Sequence, residues 1–66
     1  MRVHFDEKAD AVYVRLDDST IVESEEVQPG VMLDFDSSHQ VVGVEILGVK
    51  KRIPLADLKE VLVKIA

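Results

Sequence analysis

Thirteen Asp and Glu side chains in 66 residues are the most obvious chemical resource of this chain. Four oxygen-bearing residues are spaced in a way that invites a metal. Asp34, Asp36, Ser38 and Glu45 fall at positions 1, 3, 5 and 12 of a window that nearly fits the calcium loop of an EF-hand. Such a loop needs a helix on each side and a glycine at its sixth position for the sharp turn. Here the sixth residue is His39, the ninth is Val42, and both flanks alternate like strands. No metal site and no cofactor is therefore expected.

Other chemistry-bearing residues read in the same way. Glu23, Glu25 and Glu26 form the densest acidic run. Paired carboxylates can do acid–base work, but a domain this small can hardly build the cleft for it. These three, with Asp34 and Asp36, instead make a candidate interaction face for a basic partner. Tyr13 and Arg15 share one face of a strand and make a candidate ligand groove. That strand is expected to pair with the acidic run, where a cross-strand Arg–Glu pair contributes roughly 0.2–1 kcal/mol. His4, near the N-terminus, and His39, in a turn, read as solvated. Ser37 and Ser38 beside His39 suit turn chemistry, whereas acyl transfer would need an oriented base and an oxyanion hole. Lys50-Lys51-Arg52 could touch a phosphate or close an ion pair on the acidic sheet. With no nucleophile, base or phosphate loop recognisable, no enzyme is expected.

The chain that must position these groups is small. A single domain of this size buries only about 60% of the surface its unfolded chain exposes. There is no cysteine to supply a disulfide or a thiolate zinc site. Small domains lacking such staples gain stability by oligomerising, so a homo-oligomer is expected. No apolar run follows Met1-Arg2-Val3-His4, so no signal peptide is expected. No stretch reaches the roughly 18 apolar residues of a membrane span. A cytoplasmic protein is the resulting expectation. The net charge of −5 is uneven: residues 1–49 carry three basic and eleven acidic groups, net −8, and residues 50–66 carry five and two, net +3. An acidic body argues against nucleic acid, whose phosphates supply most of that affinity.

Turn signals divide the chain into strands. Arg2 to Phe5 is followed by the polar turn 6–10, and AVYVRL at 11–16 is rich in β-branched and aromatic residues. Asp17-Asp18-Ser19-Thr20 breaks that run, and IVESEEV at 21–27 reads as a third strand. Pro29-Gly30 is a ready type II corner, since proline presets its own φ and glycine accepts a positive one. Val31 to Asp36 and Val41 to Leu47 are the two clearest strands. A hairpin turning at 37–40 sets Asp36 opposite Val41, Phe35 opposite Val42 and, outward, Val31 opposite Ile46. Val31, Leu33, Phe35, Val42, Val44 and Ile46 then share one wholly apolar face, a separation that a one-residue slip would scramble. Met32, Asp34, Asp36, Val41, Gly43 and Glu45 share the other. Beyond a basic connector at 49–53 the period changes. Leu55, Leu58, Leu62 and Ile65 recur at helical spacing, and Pro54 suits the first helical position. A helix over 54–65 is predicted. A lone helix of about 12 residues is marginal in water, so it needs the sheet to pack against.

The segments FDEKADAVYVRL, ESEEVQPGVMLDFD and VVGVEILGVKKRIPLADL resemble the bacterial and archaeal family named domain of unknown function 2283. The resemblance covers nearly the whole chain. It is carried most specifically by Ala9-Asp10-Ala11 before Tyr13 and Arg15, by the acidic run leading to Pro29-Gly30, and by Gly43-Val44-Glu45-Ile46. Similar proteins carry an Asp-Gly type turn where this chain has Ser38-His39. The resemblance implies a compact sheet-plus-helix fold and no catalytic residues. Because some members of such families occur beside small toxin-like proteins, it also implies an antitoxin-like or accessory role.

The sequence thus predicts an α+β domain over 1–66. It is a mainly antiparallel meander of four to five strands within 1–48, with one C-terminal helix packed on the sheet. The predicted function is a non-enzymatic, homo-oligomeric interaction module with an acidic face. A weak ligand- or metal-binding protein is the alternative.

Overall fold

Every segment of alternating or β-branched character becomes a strand. They are β1 (Arg2–Asp6), β2 (Ala11–Arg15), β3 (Glu23–Gln28), β4 (Val31–Phe35) and β5 (Val41–Leu47), followed by a single helical turn, α1 (Val49–Arg52). The computed structural model describes residues 1–52, so the helix expected over 54–65 lies outside the described residues. The stretch read as a basic connector, 49–53, is helical over Val49–Arg52.

The five strands form one antiparallel sheet in the order β1-β2-β5-β4-β3, giving an α+β architecture. The β1–β2 hairpin docks on the outer flank of a β3–β4–β5 meander. The acidic strand does not pair with β2, as the sequence reading expected. β2 lies between β1 and β5, and β3 lies at the far edge. The reason is the link at 16–22. It closes no hairpin but crosses one end of the sheet, tied at its ends by Leu16 N–H donating to Val42 O (2.8 Å) and Val22 N–H donating to Phe35 O (2.9 Å). The cross-strand partner of Arg15 is therefore Gly43 on one side and Arg2 on the other, with no glutamate opposite.

The β4–β5 hairpin keeps the expected pairs from Val31↔Ile46 to Asp34↔Gly43. Near the turn it departs, because Asp36 leaves the ladder to build the turn. Its Oδ1 accepts from the N–H of Ser38 (2.9 Å) and of Gln40 (3.0 Å), and its own N–H donates to Gln40 O (3.0 Å). Phe35 consequently meets Val41, and a bulge restores the register at Asp34. His39 takes a positive φ of 61° and its ring stacks on Phe35 at 4.6 Å.

One face of the sheet is apolar. Val12 and Val49 form its buried centre, with Val3, Phe5, Val14 and Ile46 packed around them. Asp10 positions α1 over this face, its carbonyl accepting from Val49 N–H and its carboxylate from Lys50 N–H, both at 3.1 Å. At the other side, Gly30 has the φ of +82° that the predicted corner requires. Arg52 ties that corner down by donating to Pro29 O (2.5 Å) and Leu47 O (3.3 Å).

Candidate functional site

The opposite face is polar, and strand pairing dictates what meets there. One row across the sheet reads Arg2, Arg15, Gly43, Asp34, Ser24, and the next reads His4, Tyr13, Glu45, Met32, Glu26. Each row draws one residue from each of the five strands, and residues two apart on a strand share its face.

Gly43 is the notch in this surface. A Cβ built there would lie 2.6 Å from the Tyr13 hydroxyl and 2.8 Å from Asp34 Oδ2. Without it, Tyr13 reaches diagonally across β5 and its hydroxyl donates to Asp34 Oδ2 at 2.8 Å. Ser24 donates to the other oxygen, Oδ1, at 2.6 Å. One carboxylate thus joins β2, β4 and β3 over the bare backbone of β5. A hydrogen bond to a charged group contributes about 1.5–3 kcal/mol, so this relay competes in scale with the hydrophobic contacts on the other face.

Arg15 extends the relay toward the crossover. Its Nε donates to Asp17 O at 2.6 Å, an Nη donates to Ser19 O, and its other Nη lies 3.5 Å from the Tyr13 hydroxyl. The guanidinium is thereby fixed in direction. Asp17 accepts from Ser19 N–H at 2.8 Å. That bond, followed by the Ser19 hydroxyl and then the Arg15 charge, holds its carboxyl below the usual range. Beside Arg15, the Arg2 guanidinium pairs with Asp18 at 3.1 Å on an exposed surface. Arg2, His4, Tyr13 and Arg15 together line a shallow concavity of about 300 Å³.

The predicted site residues separate into four environments. Tyr13 and Arg15 line one concavity. Glu23, Glu25 and Glu26 lie on β3, all of whose residues are exposed, but they do not share a face. Glu26 is on the side of Asp34, whereas Glu23 and Glu25 pair with Phe35 and Leu33 and take their side. Asp34 sits in the relay and Asp36 in the turn, so neither joins the others in one acidic face. The window 34–45 that mimicked a calcium loop is two strands and a turn. Arg2, His4, Ser24 and Gly43 were not picked out from the sequence. The glycine inside a strand pattern was the available signal, since it marks a close approach.

Among the described residues no helix is long and apolar enough to cross a membrane. Residues 2–50 match the family described as Protein of unknown function (DUF2283), and the chain belongs to that family. No curated relative and no solved structure matches it.

Proposed function

We propose that this member of the family is a non-enzymatic interaction module whose β3 edge receives a basic, extended segment of a partner protein. The carrying observation is the edge itself. Among the described residues β3 pairs only with β4, all its residues from Glu23 to Gln28 are exposed, and three of them are glutamates. Unpaired N–H and C=O groups along such an edge can be completed by an added strand, with side chains supplying selectivity.

Charge selects the partner. A second copy pairing through β3 would set glutamates against glutamates, which destabilises a ladder. A segment alternating Lys or Arg with apolar residues can set its basic face beside Glu23 and Glu25, which share one face of β3. The homo-oligomer that the small core favours then uses another surface. The antitoxin-like role implied by the family resemblance is one case of this reading, with a basic toxin-like protein as the partner. The hydroxyls of Tyr13 and Ser24 both donate to Asp34. That supports the non-enzymatic reading, because both hydroxyls are engaged in joining strands through one shared carboxylate.

The test is capture of a synthetic strand-forming peptide alternating lysine and valine. Reversing Glu23, Glu25 and Glu26 to lysine is expected to weaken capture about tenfold or more, and added salt to weaken it in the parent protein. Asp34 and Asp36 stay unchanged, because their reversal would disturb the relay and the turn. Undiminished capture by the triple variant overturns the reading.

A further inference from the structure

The polar face also holds a site of the opposite sign. Of the three basic residues within 1–49, two, Arg2 and Arg15, are direct cross-strand partners. Like charges facing each other weaken a ladder, and an acidic chain has little need to spend its few cations in that way. We propose that the concavity between β1 and β2 binds a small planar organic acid. Its carboxylate lies between the guanidiniums of Arg2 and Arg15, and its flat body lies against Tyr13 and His4.

Four features carry this reading. The wall formed by Arg2, His4, Tyr13 and Arg15 is mostly carbon, which suits a ligand with an apolar body rather than a bare ion. Its volume of about 300 Å³ is at the small end of ligand sites. Arg15 is fixed by the carbonyls of Asp17 and Ser19 and Tyr13 by Asp34, so little side-chain freedom is lost when a ligand arrives. Finally, Asp18 already places a carboxylate on Arg2 at 3.1 Å. Both partners of that pair are well exposed, 74% and 90%, and such pairs contribute little. An incoming carboxylate can replace Asp18 at small cost, and Asp18 shows which chemistry the site accepts.

The surroundings also favour a monoanion. The carboxylates of Asp18 and Asp34 bond to groups that line the concavity, Arg2 and Tyr13. A doubly charged phosphate meets more repulsion from them than a carboxylate does. Planar guanidinium also matches carboxylate in a two-point contact.

The test follows backbone amide shifts of the whole chain during titration with benzoate, acetate, benzamide and inorganic phosphate at constant ionic strength. Benzoate is expected to saturate with shifts centred on residues 2–4 and 13–15, and the other three to bind about tenfold more weakly or worse, since each lacks the ring, the charge or the flat body. Arg2→Gln should weaken benzoate about fivefold, the scale of one charge-assisted contact. Asp18→Asn should tighten it about twofold or more by removing the internal competitor. Both positions are exposed, and an unchanged Tm confirms that each variant folds. Phosphate binding more tightly than benzoate, unchanged benzoate binding in Arg2→Gln, or weakened binding in Asp18→Asn overturns the proposal. Reversal of the β3 glutamates should leave benzoate binding intact, so failure at one site is distinguishable from failure at the other.

Discussion

Val12 and Tyr13 are neighbours in the chain and point to opposite faces of the same strand, yet they are held by different physics. Val12 is nearly buried and rests against Val49, Phe5 and Ile46. Its contacts are many, weak and without direction, so volume matters more than identity. Tyr13 is half-buried and held by one directional bond to Asp34 over a glycine. Its neighbours have no slack, because Gly43 is the only residue type that leaves the hydroxyl its path. The apolar face stabilises the domain broadly, and the polar face specifies which strands meet.

The sharpest way to break this contrast is Gly43→Ala. The added methyl would stand 2.6 Å from the Tyr13 hydroxyl, so either the backbone shifts or the Tyr13–Asp34 bond opens. Overpacking and a lost charge-assisted bond together predict about 3 kcal/mol of destabilisation in denaturant unfolding. Introduced into Tyr13→Phe, which lacks the clashing oxygen, the same substitution should cost roughly half as much. Equal costs in both backgrounds would mean that the hydroxyl does not set the limit.

The apolar face should respond to volume. Val12→Ala is expected to cost about 2 kcal/mol, from lost burial and the space left behind. Val12→Ile should stay within about 1.5 kcal/mol, because the core can repack around a methylene. A larger loss for the isoleucine than for the alanine would show that this face is as exacting as the other.

Next in size are the hydroxyls of the relay. Tyr13→Phe is expected to cost about 1.5 kcal/mol and Ser24→Ala about 1 kcal/mol. Because both donate to Asp34, the double variant should depart from the sum by about 0.5 kcal/mol or more. Strict additivity would argue that Asp34 does not couple the two strands.

The two faces were also unequally legible in the sequence. Period-two alternation exposed the apolar face and the four pairs of the β4–β5 ladder away from the turn, because burial acts on each residue separately. The turn end was missed because Asp36 satisfied the turn amides through its side chain, lengthening the turn to 36–40 and forcing a bulge. Periodicity does not report such a local choice. Strand order was missed for a different reason. Asp17 to Thr20 has the composition of a hairpin turn, and it is the long-range pairing of β2 with β5 that makes residues 16–22 a crossover. The sign that could have warned of it was the acidic run itself. A strand with few apolar positions gains little from a central place, whereas AVYVR offers something to bury on both faces. The concavity was half visible, in Tyr13 and Arg15, because its other wall depends on β1 pairing Arg2 and His4 across from them.

The smallest expected difference between the faces lies in their response to pH. Among the described residues, Val12 and the side chains packed around it carry no titrating group, so the cost of Val12→Ala should not change with acidity. At the end of the polar face, Asp17 accepts from Ser19 and thereby steadies the loop that Arg15 grips. Its carboxyl is held below the ordinary value of 3.8, chiefly by the Ser19 N–H. A carboxyl depressed in the folded state stabilises the fold at pH values above the unfolded value. That contribution fades as acid carries the pH down through the lower folded value. Asp17 is fully exposed, so the effect is small. The informative quantity is therefore the difference in Tm between the parent and Asp17→Asn, followed from about pH 6 down to about pH 2. That difference should be constant at the upper end and shrink toward zero at the lower. A difference that stays level throughout would mean that the Asp17 charge does nothing to hold the crossover, leaving Arg15 and the backbone carbonyls to do so alone.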